Sequence, residues 1–234
     1  MEKLVYLLWR DPADEAQSFA KRMLESVGPA LVARGARGLA LHLADDRADL
    51  GRTVPVRAER DLVAGTASFW LPSVDERAAF EAILREACAR VGGYLVTESV
   101  PRDFDRRDWP DGAPSPGLVM VSIFPQPVRL SREEFIARWH GSHTPLALEV
   151  HPLWRYVRNV VARRLDEDAP DYAGIVEEHV RSAADLDDPI RFYGGAERAE
   201  RNMARILEDA RSFLDLEHVM SVVTRQYLFS SLPS

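Results

Sequence analysis

The stretch from Ser131 to Asn159, SREEFIARWHGSHTPLALEVHPLWRYVRN, contains a marked helix start, a helix interruption and three of the six histidines of the chain. Ser131 and Glu134 have the spacing of a capping box, in which the hydroxyl accepts from the N3 amide and the carboxylate accepts from the cap amide. Leu130 and Phe135 add a hydrophobic staple across the same turn. The sequence therefore predicts a helix that begins at Ser131.

The residues that follow predict which face of this helix is buried. Phe135, Trp139 and His143 recur at four-residue spacing, which places them along one helix face. Pro145 interrupts the helix because it supplies no amide and disfavours helical geometry in the residue before it. Thr144 and Pro145 also have the pattern of an N-cap and N1 pair for a second helix. We therefore expect His143 on the buried side of a junction between two helices.

The composition limits the class of protein. The chain has 234 residues, is 46% hydrophobic and has a net charge of -7, so it can form a core but offers no basic surface for nucleic acid or anionic membrane. A single cysteine, Cys88, cannot form an internal disulfide and indicates a reducing compartment. We find no signal peptide and no apolar run long enough to span a bilayer. These features predict a soluble, cytoplasmic protein.

An internal repeat relates the two halves of the chain. An offset of 116 residues maps the apolar run 3–9 onto 119–125, Phe19 onto Phe135 and Pro29 onto Pro145. Farther along, the offset becomes 109, and Gly65 then corresponds to Gly174. A constant offset over a strand, a helix and a proline indicates that both halves contain the same order of elements.

The order of elements predicted for each half is βαββαβ. Split βαβ units of this kind form a four-stranded antiparallel sheet with both helices on one face. From Leu118 to Phe124 both alternating sets of side chains are apolar, which predicts a strand covered on both faces. We therefore expect an α+β fold in which two tandem ferredoxin-like units, residues 1–100 and 117–234, pack their antiparallel sheets face to face into one α+β barrel. The proline-rich segment 101–116 is predicted to be a linker.

One motif of the second half is shared with a known family. Phe135-x3-Trp139-x3-His143-x-Pro145 is followed by Tyr156 and Asn159 in the next predicted strand, and by Gly174 and Glu177 in the third. This pattern resembles the EthD family of the dimeric α+β-barrel superfamily. The first half resembles a degenerate copy, because Val27 stands at the position of the motif histidine.

The resemblance implies a ferredoxin-like barrel with a pocket beside the first helix of the second half. Relatives of this family include dehydratases, decarboxylases, cyclases and lactone isomerases that act on aromatic or polyketide compounds, together with accessory proteins of ether-degrading oxygenase systems. His179 stands where the family pattern implies an aromatic residue late in the third strand. That departure changes the expected shape of the pocket.

His143 is the first candidate for catalysis. Imidazole titrates near neutral pH and can act as a general acid or base when a partly buried site tunes it. A helix N-terminus at Thr144 would disfavour the imidazolium form, so we expect a mainly neutral ring. The structural alternative is a hydrogen-bonded core histidine that orients the helix break.

Two further pairs are candidates on the strands. Glu177 and His179 are two residues apart, so they share one face of a strand, and in the barrel interior they would converge beside Ile175. The alternative is a salt-linked pair at the strand end. Tyr156 or Asn159 could hold a developing enolate oxygen, although a tyrosine in a strand often serves only in packing.

The remaining candidates are predicted to bind the substrate. Phe135 and Trp139 would form pocket walls against an aromatic ligand, although both also suit the core. His140 could assist His143, with a solvent-facing position as the alternative. His151 precedes a proline in a turn and is expected to be structural.

Metal and nucleotide cofactors are not predicted. His140, His143 and His151 supply three imidazoles, but no HExxH motif is present, and Gly141 and Pro145 interrupt the helix that would align the ligands. The chain contains no GxGxxG after a strand and no P-loop. We therefore expect a protein without a metal site or a bound cofactor.

These features lead to two functional hypotheses. The first is a cofactor-independent lyase or isomerase in which His143 moves a proton on a hydrophobic aromatic or polyketide-like carbonyl compound. The second is a non-catalytic ligand-binding or accessory protein of an oxygenase or degradation pathway, while cofactor-free monooxygenation is a third option. The expected partner is a hydrophobic small molecule, and the sequence leaves homodimer formation open. An enclosed cavity at His143, with a polar partner in hydrogen-bond reach, would favour catalysis.

Overall fold

The two halves of the chain have the same strand order. The computed structural model describes residues 1–44 and 63–229. Its strands are β1 (Glu2–Trp9), β2 (Arg37–Leu43), β3 (Gly65–Leu71), β4 (Arg90–Arg102), β5 (Leu118–Phe124), β6 (Leu153–Arg164), β7 (Gly174–Val180) and β8 (Met220–Leu228). In the first half they pair antiparallel in the order β4-β1-β3-β2, and in the second half in the order β8-β5-β7-β6. Both orders are those of the predicted ferredoxin-like unit.

The helices cover the outer faces of the two sheets. They are α1 (Ala16–Arg22), α2 (Gly28–Arg34), α3 (Ala78–Ala87), α4 (Arg132–Arg138), α5 (Thr144–Val150), α6 (Ala184–Asp187), α7 (Pro189–Phe192) and α8 (Ala199–Phe213). A π segment joins α1 to α2 (Met23–Val27), and a second joins α4 to α5 (Trp139–His143). Within residues 1–44 and 63–229, no helix combines the length and apolar character needed to cross a membrane.

Two further strand pairings close the sheets into a barrel. β2 pairs with β8 and β4 pairs with β6, both antiparallel, so the strands described here form a closed ring in the order β1-β3-β2-β8-β5-β7-β6-β4. The predicted α+β barrel is therefore confirmed. The sheets face each other as expected, and their edges are also joined by backbone hydrogen bonds. The connection between β4 and β5 covers residues 103–117, and the division into two domains stays a prediction.

The internal repeat extends to the details of the helices. The residues of α1, the first π segment and α2 correspond one by one to those of α4, the second π segment and α5 at the offset of 116. β3 and β7 match end to end at the offset of 109. The repeat inferred from sequence therefore holds in three dimensions.

Strand alternation separates an outer core from an inner core. On β5, Leu118 and Met120 pack with the helices, whereas Val119 and Val121 pack in the barrel interior with Val5 of β1. The prediction that β5 is covered on both faces is therefore correct. The same alternation decides on which side of the sheet each candidate side chain lies.

The predicted start of the second-half helix is also confirmed. The Ser131 hydroxyl accepts from the Glu134 amide at 3.2 Å, and the Glu134 carboxylate accepts from the Ser131 amide at 2.9 Å. Leu130 and Phe135 are buried in the same apolar cluster. This cap sets the helix angle and directs Trp139 onto the sheet, where it is fully buried.

The helix does not break at Pro145, contrary to expectation. Thr144 has helical angles, φ -60° and ψ -49°, and its amide donates to the Trp139 carbonyl five residues earlier. Its hydroxyl donates to the same carbonyl at 2.9 Å. A π turn widens the helix by one residue, which accommodates a proline that has no amide to donate and would crowd the preceding turn. Thr144 is therefore not an N-cap, and no separate helix start lies beside His143.

Two glycine positions provide a test of this packing. A Cβ on Gly174 would lie 2.4 Å from Cε2 of Phe124 and 2.8 Å from Cη2 of Trp139, whereas a Cβ on Gly141 would have nothing within 4 Å. Gly174→Ala should therefore lower the free energy of unfolding by about 1 to 3 kcal/mol through overpacking. Gly141→Ala should leave it unchanged or raise it by up to about 1 kcal/mol. Equal stability of the two variants in urea denaturation would contradict this packing.

Candidate active site

A small pocket lies between the sheet of the second half and its helices, on the side that the family resemblance implies. Its volume is about 90 Å³. Side chains from β5, β6 and β7 form its floor, and the second π segment and α8 form its walls. The lining residues are Ser122, Phe124, Trp139, His143, Tyr156, Val176, Glu178, Phe213, Leu214 and Val219.

His143 lines this pocket and is held by a carboxylate that sequence reasoning missed. Nδ1 of His143 lies 2.8 Å from Oδ2 of Asp209 on α8, and the Ser142 hydroxyl donates to the other oxygen of Asp209. The ring also packs on Phe213, with 4.9 Å between ring centroids. Because a carboxylate only accepts hydrogen bonds, Nδ1 carries the proton, and Nε2 of the neutral ring has the free electron pair.

The protonation state of His143 is set mainly by burial. Burial lowers the pKa of His143, while the hydrogen bond and charge of Asp209 act in the opposite direction. The lowered pKa supports the expected neutral ring at neutral pH. The cause is different from the one predicted, since no helix N-terminus adjoins His143.

Glu178 is the second acidic group that sequence reasoning missed. Its neighbours across the strands are Met120 and Tyr156, and it faces the helices into the pocket. Burial raises the pKa of Glu178 to about 7. Within the described chain, no hydrogen bond or ion pair holds its carboxyl group. A substantial fraction of Glu178 is therefore protonated at neutral pH, which makes it a proton donor beside a basic imidazole.

Tyr156 and the predicted aromatic residues complete the helix-side site. Tyr156 is buried, and burial together with the nearby Glu178 raises its pKa, so its phenol keeps the proton. Trp139 packs edge to face on Phe124 with 5.1 Å between centroids. Phe135 lies behind them in the same cluster, 5.7 Å from Trp139. These rings form an apolar wall on one side of the pocket.

His140 stands apart from the pocket lining. Its ring packs edge-on against Trp139 at 5.0 Å, and burial lowers its pKa to about 4. His151, expected to be structural, lies 3.0 Å from the Phe192 carbonyl through Nδ1 and stacks on the Phe192 ring. Both imidazoles thus pack within the helix layer, against Trp139 and Phe192.

The other predicted site residues lie on the opposite side of the sheet. Glu177, His179 and Asn159 are buried on the barrel-interior side, where Glu177 and His179 follow Ile175 along one face of β7. Nδ2 of Asn159 donates to Oε1 of Glu177 at 3.1 Å. The predicted residues therefore divide between two sites, one between sheet and helices and one inside the barrel.

A larger concavity than the His143 pocket lies elsewhere on the described chain. It is an open groove of about 930 Å³ that includes Val128, Arg132, Tyr172 and His218. Its lining shares no residue with the His143 pocket in the described chain. We place the candidate chemistry in the smaller pocket because the buried Glu178 and the partly buried His143 both line it.

The raised pKa of Glu178 predicts how stability depends on pH. The pKa of Glu178 is raised from its ordinary value of 4.5 to about 7 in the folded protein. Between these two pH values the folded protein binds the proton and the unfolded chain does not, so this contribution to stability falls as pH rises. The stability of wild type relative to Glu178→Gln should therefore decrease by on the order of 3 kcal/mol from pH 4.5 to pH 8. Chemical denaturation of both proteins at each pH measures this difference. A difference that is independent of pH would show that Glu178 is not perturbed.

Comparison with known proteins relates part of the second half to a family and the whole chain to a fold. Residues 128–217 match the family model of the EthD domain. Among solved structures, the chain is similar to an anthrone oxidase-like protein (12% identity, TM-score 0.57, covering 97% of this chain and 92% of that one). It is also similar to a "putative monooxygenase" from Lactobacillus acidophilus NCFM (10% identity, TM-score 0.52, covering 99% and 96%). At these identities the structures show the shared fold alone, and no curated protein is a significant sequence match.

The motif around His143, the pocket beneath it and the matched residues 128–217 all lie in the same half of the barrel. The EthD domain match therefore covers the part of the chain that contains the His143 motif.

Proposed function

We propose that the His143 pocket is the active site of a small-molecule enzyme that works by acid/base chemistry without a cofactor. The carrying observation is the His143–Asp209 pair, at 2.8 Å, on a pocket that also contains the partly protonated Glu178. The family and the fold fit either a small-molecule enzyme or a ligand-binding protein. An acid and a base that line one pocket favour the enzyme.

His143 is the proposed base. Asp209 accepts from Nδ1, which fixes the tautomer and stabilises the imidazolium that forms when Nε2 takes a proton. The Ser142 hydroxyl holds Asp209 in turn. Since burial lowers the pKa of His143, the ring is available as a base at neutral pH. The proton that His143 would remove lies on the carbon next to a carbonyl group. The neighbouring acid, Glu178, can activate that carbonyl group.

Glu178 and Tyr156 are the proposed donors to the carbonyl oxygen. A carboxyl group kept neutral by an apolar site can donate a hydrogen bond to a developing enolate. The Tyr156 phenol, opposite Glu178 across the strands, can supply a second one. Return of the proton to a different atom gives an isomerase, and departure of a neighbouring group gives a lyase.

The walls of the pocket suggest the class of substrate. Phe124, Trp139 and Phe213 present aromatic surface, which suits an aromatic or polyketide-like carbonyl compound. The volume of about 90 Å³ is below the roughly 300 to 1,000 Å³ of common ligand pockets. We therefore propose that the pocket encloses the reacting end of the substrate, while the remainder extends past Leu214 and Val219.

The alternative is a non-catalytic ligand-binding or accessory protein of an oxygenase or degradation pathway. One observation favours it: a separate cavity of about 350 Å³, which includes Lys3, Glu98 and Arg155, lies at the barrel mouth and has the size of a small-molecule site. Such a protein would bind ligand without converting it. Because the similar structures are of an anthrone oxidase-like protein and a "putative monooxygenase", oxygen consumption should be measured with the same compounds.

The test separates binding from turnover. Phenolic and polyketide-like carbonyl compounds are first screened by thermal shift, and the compounds that bind are followed for conversion and oxygen uptake. His143→Ala should lower kcat by about 100-fold to 10,000-fold with little change in Kd. Asp209→Asn should also lower kcat because it no longer fixes the tautomer. Lys21→Ala, an exposed side chain on α1 of the first half, is the control and should retain full activity.

Two results would contradict the enzyme proposal. Full turnover by His143→Ala would place the chemistry elsewhere. Tight binding without turnover by the wild type, together with loss of binding in His143→Ala, would support the binding protein instead.

A further inference from the structure

A second cluster of ionisable side chains lies inside the barrel, on the other side of the sheet from His143. His42 on β2 comes from the first half, and Glu177 and His179 on β7 come from the second. All three are buried, with at most 4% of each residue exposed. One nitrogen or oxygen from each lies within 4.8 Å of the others. The set contains two imidazoles and one carboxylate, which is a common ligand set for transition metals.

The two imidazoles lie too far from the Glu177 carboxylate to form hydrogen bonds with it. Nε2 of His42 lies 3.6 Å and Nε2 of His179 lies 3.8 Å from Oε2 of Glu177. Both separations exceed hydrogen-bond length. They are slightly longer than the separation of two ligand atoms that each lie about 2.0 to 2.2 Å from one metal ion. A small contraction of the three side chains would therefore form a coordination site.

His179 provides an independent sign of a missing partner. Neither of its ring nitrogens has a hydrogen-bond partner among the residues that the structure describes, although the residue is only 1% exposed. Leaving a buried polar group unsatisfied costs free energy, and native proteins rarely do so. A bound ion would satisfy one of these nitrogens.

His42 is held in place by a contact at each ring nitrogen. Nδ1 lies 3.1 Å from the Thr66 hydroxyl, and Nε2 lies 3.1 Å from the side-chain amide nitrogen of Gln226. An amide nitrogen can only donate, so Nε2 is the acceptor and Nδ1 carries the proton. Thr66 thus supports the ring through Nδ1, which is the usual outer-shell arrangement of a metal-binding imidazole, and Nε2 would bind the ion in place of the Gln226 amide.

The charges around the cluster leave room for a cation. Lys3 and Arg155 lie 4.0 and 3.8 Å from the oxygens of Glu177. They are also paired with Glu98 and Asp103, respectively. Three carboxylates thus face two cations, and with neutral imidazoles the group carries a net negative charge. This charge favours a bound divalent ion.

We propose that His42, Glu177 and His179 bind a divalent first-row transition metal ion through two imidazole nitrogens and one carboxylate oxygen. Glu177 also lines the barrel-mouth cavity of about 350 Å³, so the coordination positions that the protein leaves open face a space of ligand size. Because one ligand comes from the first half and two from the second, the ion would link β2 to β7 across the interior. This site is separate from the His143 pocket, and the two proposals can fail independently.

Cobalt titration of the chelator-treated protein tests the site. We expect one Co²⁺ per chain, visible absorption bands typical of nitrogen and oxygen ligation, and displacement by Zn²⁺. Glu177→Gln and His179→Asn should each weaken binding by about 100-fold or more, because each removes one of only three protein ligands. Thr66→Val should weaken it by about 10-fold, since it removes the support of His42. His143→Ala is the matched control and should bind Co²⁺ as the wild type does.

Folding is checked separately by circular dichroism and by the Tm without metal. If His179→Asn does not fold, Glu177→Gln and Thr66→Val decide the question. Zn²⁺ should raise the Tm of the wild type and not that of Glu177→Gln. The proposal is overturned if the wild type binds no Co²⁺ with these bands, or if the folded variants bind it as tightly as the wild type.

Discussion

The backbone hydrogen bonds that join β2 to β8 and β4 to β6 are the constraint on which the rest of the structure depends. Without them, each half would leave two sheet edges open and one apolar face uncovered. Closure buries Val5 of the first half against Val121 of the second. It also brings His42 to within 3.6 Å of Glu177, although these residues are far apart in the chain. The interior cluster exists only because the two copies share one barrel.

The two copies differ in what fills the space between sheet and helices. Both have a π segment at the same place, with a proline two residues after its last residue. The wide turn therefore accommodates the proline in both copies. At the offsets of the repeat, Val27 and Phe69 stand where the second half has His143 and Glu178. Phe69 stacks on Tyr6 with 5.5 Å between ring centroids. It places an apolar ring between sheet and helices in the first half. The combination of His143 and Glu178 therefore occurs in one copy alone, within the described residues.

Local signals in the sequence were enough to predict the architecture. The capping box at Ser131, the alternation along β5 and the constant repeat offset each depend on neighbouring residues, and the structure confirms all three. The helix junction was wrong because Pro145 can be accommodated by a π turn as well as by a break. The partner of His143 was missed because Asp209 lies 66 residues away on α8, and helix periodicity does not indicate which helix it faces.

The sequence contains a signal for two other residues that were not predicted, Glu178 and His42. Glu178 alternates with Glu177 and His179, so placing those two inside the barrel puts Glu178 on the helix side, with Val176 and Val180. His42 is a lone histidine in the apolar strand GLALHLA, where a buried polar group calls for a partner. Predicting that this partner lies on β7 requires the barrel closure, which no local pattern specifies.

The state of the His143 ring is the point on which the proposed chemistry depends, because only a neutral ring protonated on Nδ1 can serve as the base. Nitrogen-15 NMR of the imidazole at pH 7 measures it directly in the free protein. We predict a neutral ring with the proton on Nδ1, toward Asp209, and the free electron pair on Nε2. An imidazolium ion, or a neutral ring protonated on Nε2, would contradict the proposed role of His143.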